Sequence, residues 1–174
     1  MISSILDKAK KFAMERHGSQ VRKFEKTPYI DHPIAVATRL MEFTNDEEMI
    51  AAAYLHDVLE DTDTSYYELK ENFNQNIADL VQQLTNDKHE AQILGKDKYI
   101  TKKINSMTER ARLIKFIDRE DNVKEIINTP KEFQKRYANE TAYILNHLEF
   151  HPSENENKVI KRIWQKISPF IDKT

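Results

Sequence analysis

Two glycines, Gly18 and Gly95, and five prolines are all that 174 residues provide for tight turns. An all-β chain of this length needs many more of them, so the scarcity directs the chain toward helices. The apolar spacing agrees. Ile5, Leu6, Ala9, Phe12 and Ala13 share one helical face, as do Ile77, Leu80, Val81 and Leu84, and again Phe133, Tyr137, Ile144 and Leu148. Helix starts are marked by Asn45 with Glu48, Ser65 with Glu68, Thr129 with Glu132 and Ser153 with Glu156, each spaced as a capping box. Pro130 adds a first-position proline to the third. These signals predict helices near 3–16, 33–43, 46–60, 66–73, 75–85, 97–107, 109–127, 130–149 and 154–171, with no strand and no repeat. The stretch from Asp87 to Asp97 carries the weakest pattern and reads as a loop or a weakly formed helix. Val159, Ile160, Ile163, Trp164 and Ile167 give the last helix, about 154–171, a broad apolar face to dock on the same body. The expectation is an all-α, compact helical bundle of about 8–9 helices, one domain over residues 1–174.

Composition narrows the function. The absence of cysteine excludes disulfides, Cys-zinc sites, iron–sulfur clusters and thiol nucleophiles. Lys and Arg number 27 against 29 Asp and Glu, a net charge of −2, so no bulk positive field draws the chain to nucleic acid or anionic lipid. The longest apolar run, Met49 to Leu55, is far below the ~18 residues of a membrane span. The first residues have neither the charged start nor the apolar core of a signal peptide. A soluble, cytoplasmic protein is expected. There is no phosphate-binding glycine loop, no H-E-x-x-H and no G-x-S-x-G.

What remains is polar residues where the helical pattern calls for apolar ones. The run Ala51-Ala52-Ala53-Tyr54-Leu55 is hydrophobic almost all round and then ends in His56, Asp57, Glu60 and Asp61. On a continuous helix these four share one patch, and the three carboxylates repel one another and oppose the helix dipole. The patch reads either as a His/Asp shell for a divalent cation or as a solvated acidic helix end. Asp118 follows Ile114-Lys115-Phe116-Ile117 and has Asn122 four residues on. If it points inward it needs a partner, either a metal or a basic side chain. His32 follows Asp31, a candidate cap, at the start of a helix, a position at which structural histidines outnumber ligands. Arg22-Lys23 is a basic loop pair, read as a phosphate contact or simply as a solvated loop. His17, His89, His147 and His151 have no carboxylate pattern around them and receive no role.

In order, His32, His56-Asp57 and Asp118 resemble the H…HD…D pattern of the HD superfamily of metal-dependent phosphohydrolases. Five motifs are similar to the hydrolase domain of RelA/SpoT enzymes: Gln20-x-Arg22-Lys23, Pro28-Tyr29-Ile30-x-His32-Pro33, Leu55-His56-Asp57-Val58-Leu59-Glu60-Asp61-Thr62, Leu84-Thr85-Asn86-Asp87-Lys88 and Ile114-Lys115-x-x-Asp118-Arg119-x-x-Asn122. With no synthetase domain in the sequence, the chain looks most like the stand-alone small alarmone hydrolases, including the metazoan SpoT homologues. The resemblance implies an HD-type fold. It also implies one divalent ion, Mn²⁺, on His32, His56, Asp57 and Asp118. Glu60 and Asp61 would then work on the attacking water, and Arg22, Lys23 and Asn122 on the nucleotide. The implied reaction is hydrolysis of guanosine 3′,5′-bispyrophosphate (ppGpp or pppGpp) at the 3′ position, releasing pyrophosphate and GDP or GTP. The implied partner is a small-molecule nucleotide, with no nucleic acid and no membrane. Three departures bear on the substrate: the loop Phe24-Glu25-Lys26-Thr27 lacks the family's common glycine, Ile117 stands for its usual alanine, and Glu125 lies where Thr or Asp is frequent on the nucleotide side. Two other readings stay open. One is a phosphohydrolase of another nucleotide, such as a deoxynucleoside monophosphate or the 2′-phosphate of NADPH. The other is an inactive HD-fold binding module. Tyr137 reads as core or as pocket lining.

Overall fold

The structure is a computed structural model that describes residues 4–24 and 26–171. The expected helix start at residue 3 and the loop residue Glu25 lie outside the described residues. All regular structure among the described residues is helical, apart from an isolated antiparallel bridge between Val21 and Pro28. The chain falls into two compact units, Met1–Thr85 and Asn86–Thr174.

The first unit holds α1 (Ile5–His17), α2 (Asp31–Leu40), α3 (Glu47–Leu55), α4 (Val58–Asp61), α5 (Tyr66–Asn72) and α6 (Gln75–Leu84). α3 is its hub and packs against α1, α2 and α6. Every residue from Met49 to Leu55 is buried, as an all-round apolar helix requires. Ala51, Ala52 and Ala53 have no exposed surface, and their small side chains allow close approach of the neighbouring helices. The expected single helix over 46–60 is two helices. The His56 imidazole donates from Nδ1 to the Ala53 carbonyl at 2.8 Å and competes there with the backbone ladder. Asp57 turns away (φ −104°, ψ −4°), and the backbone restarts with Asp61 N–H on the Asp57 carbonyl at 2.9 Å.

Between α1 and α2 the chain makes a tight excursion. Gly18 ends α1 at φ 49°, a left-handed value that a side chain resists. The Arg22 N–H donates to the Thr27 carbonyl, and the Tyr29 N–H to the Gln20 carbonyl, both at 2.9 Å. In the loop without the family's glycine, Lys26 takes the left-handed conformation instead, at φ 61°. Asp31 is the first residue of α2 and not its cap; the cap position is Ile30, with no side-chain bond.

The second unit holds α7 (Lys88–Leu94), α8 (Lys96–Ser106), α9 (Glu109–Lys124), a 3-10 turn (Ile126–Asn128), α10 (Lys131–Asn146) and α11 (Glu154–Ile167). α9 packs mainly on α11, and α8 on α10. Val159, Ile163 and Ile167, at i, i+4 and i+8, have no exposed surface, whereas Ile160 and Trp164 flank them half-buried. α7 forms within the stretch of weakest sequence pattern. It buries no residue, and its start is set by the Asp87 carboxylate, which accepts from the His89 and Glu90 N–H groups. Those donors, Glu90 foremost, hold the Asp87 carboxyl below its usual range.

The caps divide. Ser65 and Ser153 cap as expected, the latter in a full capping box with Glu156. The cap of α3 is Asp46, not Asn45, because Asp46 Oδ1 reaches both Glu48 N–H and Met49 N–H. Thr129 does not cap α10; its hydroxyl donates to the Ile126 carbonyl and closes the preceding turn.

Candidate metal centre

In the first unit the α2 start and the α3–α4 break bring three of the expected ligands together. His32 is buried in the first turn of α2 and His56 is buried at the end of α3. Their rings meet edge to face at 5.1 Å, and a nitrogen of each lies within 4.8 Å of the other. Both imidazoles face one carboxylate oxygen. Asp57 Oδ2 is 3.0 Å from His56 Nε2 and 3.8 Å from His32 Nε2. Break and ligand set are linked, since the bond that ends α3 also fixes the His56 tautomer. With Nδ1 donating to a carbonyl, the neutral ring presents a lone pair at Nε2 toward a carboxylate oxygen.

Two acceptors 3.0 Å apart repel unless something positive lies between them. A proton on His56 would satisfy that pair alone. A divalent cation would also take His32 Nε2, and imidazole nitrogens with a carboxylate oxygen are donors such an ion accepts. The Ala53 carbonyl behind His56 is the outer partner that metal-bound histidines commonly have. The residues of this unit therefore fit a metal ion.

α4 follows directly. Glu60 is half-buried and Asp61 exposed, and both backbone N–H groups bond the Asp57 carbonyl, Glu60 at 3.2 Å and Asp61 at 2.9 Å. The short turn thus keeps the two acids beside Asp57, although not on the continuous helix that the spacing implied. Arg22 and Lys23 lie in the α1–α2 loop, Arg22 half-buried and Lys23 exposed with its Nζ 5.6 Å from the Phe24 ring centroid.

In the second unit Asp118 is buried on α9, between Lys115 one turn before and Asn122 one turn after. Lys115 Nζ donates to Oδ2 at 2.9 Å and Asn122 Nδ2 to Oδ1 at 2.6 Å. Asp118 is thus buried, the case in which a partner is required, and a basic side chain and the Asn122 amide both donate to its carboxylate. The next residue, Arg119, bonds Glu140 at 3.0 Å and lies 4.9 Å from the Tyr137 ring. Burial pushes the Tyr137 phenol above its ordinary value against the pull of Arg119. A separate groove of about 390 Å³ is lined by Lys98, Lys102, Asn105, Tyr143 and His147 and contains none of the expected site residues. Lys102 is drawn to Glu90 at 2.8 Å and Glu149 lines the same wall, so the groove is poorly suited to phosphate.

Two participants were not assigned from the sequence. Tyr29 donates its hydroxyl to Asp57 Oδ2 at 2.7 Å and reaches Asp61 Oδ2 at 3.4 Å. His17 is buried against the Tyr29 ring, centroids 4.8 Å apart. Tyr29 lay inside a quoted motif, but a tyrosine gives no spacing signal that separates packing from hydrogen bonding. His17 stands forty residues before Asp57, and only the fold relates the two.

Comparison with known proteins identifies the family. The HD domain family model matches residues 9–150. A guanosine-3′,5′-bis(diphosphate) 3′-pyrophosphohydrolase of Aquifex aeolicus is 40% identical over 148 residues, 80% of this chain but 20% of that protein. The chain spans about a fifth of the length of such long bacterial relatives. The guanosine-3′,5′-bis(diphosphate) 3′-pyrophosphohydrolase MESH1 of Xenopus tropicalis is 32% identical, with 79% of each chain covered. A solved metazoan orthologue of SpoT, described as hydrolysing ppGpp, superposes with a TM-score of 0.82 at 27% identity, covering 95% of this chain and 97% of that one. The family match over residues 9–150 and the structural likeness over 95% of the chain lead to one conclusion: the chain belongs to the HD domain family and is a relative of these pyrophosphohydrolases.

Proposed function

We propose that residues 1–174 act as one metal-dependent hydrolase domain that removes the 3′-pyrophosphate of guanosine 3′,5′-bis(diphosphate), yielding pyrophosphate and GDP, or GTP from the pentaphosphate. The observation that carries the reading is the convergence of His32 Nε2, His56 Nε2 and Tyr29 Oη on one oxygen of Asp57. Support for the substrate comes from relatives of similar length that bear this activity in their names. The proposal assigns the fourth ligand to Asp118, a buried carboxylate oriented by Lys115 and Asn122. Mn²⁺ is the proposed ion, and the cytoplasm the proposed location. Among the described residues, no helix is long and apolar enough to cross a membrane.

A divalent ion held there would supply Lewis-acid polarisation of phosphate and would make water more acidic. The chain's own residues do the rest. Glu60 takes a proton from the attacking water, and Asp61 beside it orients that water. Water adds to the phosphorus next to the ribose 3′-oxygen, the bond from phosphorus to that oxygen breaks, and the 3′-oxygen leaves with a proton. With a net charge of −2, the chain has to concentrate cations locally to hold so anionic a substrate. Arg22 can fork onto phosphate or stack on the base, and Lys23 adds a compact point charge. Asn122 reaches the nucleotide with what its amide leaves beyond Asp118.

One preparation assayed with Mn²⁺ against ppGpp, deoxynucleoside monophosphates and NADPH tests the substrate. Preferred turnover of ppGpp is expected. Faster turnover of either alternative would overturn the assignment, and bound metal with no turnover of any nucleotide would indicate a binding module.

A further inference from the structure

Tyr29, His17 and Gln20 form a closed arrangement behind the metal centre. The Gln20 amide nitrogen donates to the Asp61 carbonyl at 2.8 Å, and a carbonyl can only accept, so the amide orientation is fixed. Gln20 Oε1 therefore faces His17 Nδ1 at 3.0 Å, and His17 must donate from that nitrogen. Its Nε2 is buried with no hydrogen-bond partner among the described residues. A histidine used only as filler would be better replaced by phenylalanine, because a buried nitrogen without a partner is destabilising. What this imidazole does that an apolar ring cannot is hold Gln20 with one edge while its face rests on the Tyr29 ring. Tyr29 in turn gives its hydroxyl to Asp57 Oδ2, the oxygen on which both site histidines converge.

We propose that Tyr29 is a positioning residue whose hydroxyl aims the Asp57 carboxylate, and that His17 and Gln20 brace Tyr29 and the Asp57–Asp61 turn from behind. The proposal rests on the metal reading above. A carboxylate with one oxygen held by a phenol loses much of its rotational freedom before an ion arrives. Its negative charge stays undiminished, because the tyrosine donates a hydrogen bond and transfers no proton. The 3.4 Å approach of the same hydroxyl to Asp61 Oδ2 sets the spacing between the ligand acid and the acid placed on the water.

Outer partners of metal ligands typically contribute about 10- to 100-fold in metal affinity. Tyr29→Phe retains the ring and its packing on His17 and removes only the hydroxyl. Calorimetric titration of metal-stripped protein with MnCl₂ is expected to show one site in the parent and about 10- to 100-fold weaker binding in Tyr29→Phe, with the melting temperature of the metal-free protein unchanged. Gln20→Ala, at an exposed position, is expected to weaken binding in the same direction by less. Equal Mn²⁺ affinity in parent and Tyr29→Phe would overturn the positioning role, as would a lowered melting temperature with unaltered affinity, the signature of a purely structural tyrosine. A parent protein that binds no Mn²⁺ would overturn the metal reading itself, a result distinct from the first.

Discussion

His56→Ala is expected to abolish binding of the divalent ion and to lower hydrolysis of guanosine 3′,5′-bis(diphosphate) by about 10³-fold or more. Loss of metal-derived transition-state stabilisation of several kcal/mol corresponds to a factor of that order. His56 Nε2 is 3.0 Å from Asp57 Oδ2, and the Nδ1 bond to Ala53 holds the ring with that nitrogen forward. Removing the imidazole deletes one proposed ligand and also relaxes the turn between α3 and α4 that carries Asp57. His56→Asn keeps a polar side chain at this buried place and is expected to show the same loss, which separates ligation from folding. Metal content by atomic emission, with helicity followed by circular dichroism, checks both variants. Full activity in a metal-free, folded His56→Asn protein would remove His56 from the site.

Glu60→Gln is expected to leave the metal in place and lower kcat by about 10²–10⁴-fold, the range of a positioned general base. Glu60 lies in α4 and its backbone N–H donates to the Asp57 carbonyl, which the substitution leaves alone. The amide is close to isosteric and cannot accept a proton from water. An effect confined to kcat, with Mn²⁺ affinity at the parent value, supports the assignment. A raised KM with unchanged kcat would place Glu60 in substrate binding instead.

Much of the architecture was legible because the chain is locally consistent. The i, i+4, i+8 apolar positions of α11 and the all-round apolar face of α3 correspond to what those helices bury. Where the reading failed, side chains competed with the backbone. His56 broke an apparently continuous helix by taking a carbonyl of its last turn, and Thr129 did the same beside the 3-10 turn. α7 is the second of the two alternatives read for its stretch, a weakly formed helix, because its start rests on a single carboxylate and no apolar face marks it. The order of His32, His56, Asp57 and Asp118 was readable along the sequence, and the family resemblance supplied their roles. The contributions of Tyr29 and His17 were not readable, because they depend on the α1–α2 loop folding back toward the Asp57 turn. Lys115 was visible as a charge within Ile114-Lys115-Phe116-Ile117, yet only the burial of Asp118 beside it gives that charge a partner.

The most direct test of the central claim is phosphorus NMR of the first product formed from guanosine 3′,5′-bis(diphosphate) by the Mn²⁺-loaded protein. Cleavage at the ribose 3′-oxygen predicts intact pyrophosphate appearing together with GDP, and neither appearing after chelation. Orthophosphate as the first product, or pyrophosphate released at an undiminished rate by the metal-stripped protein, would contradict it.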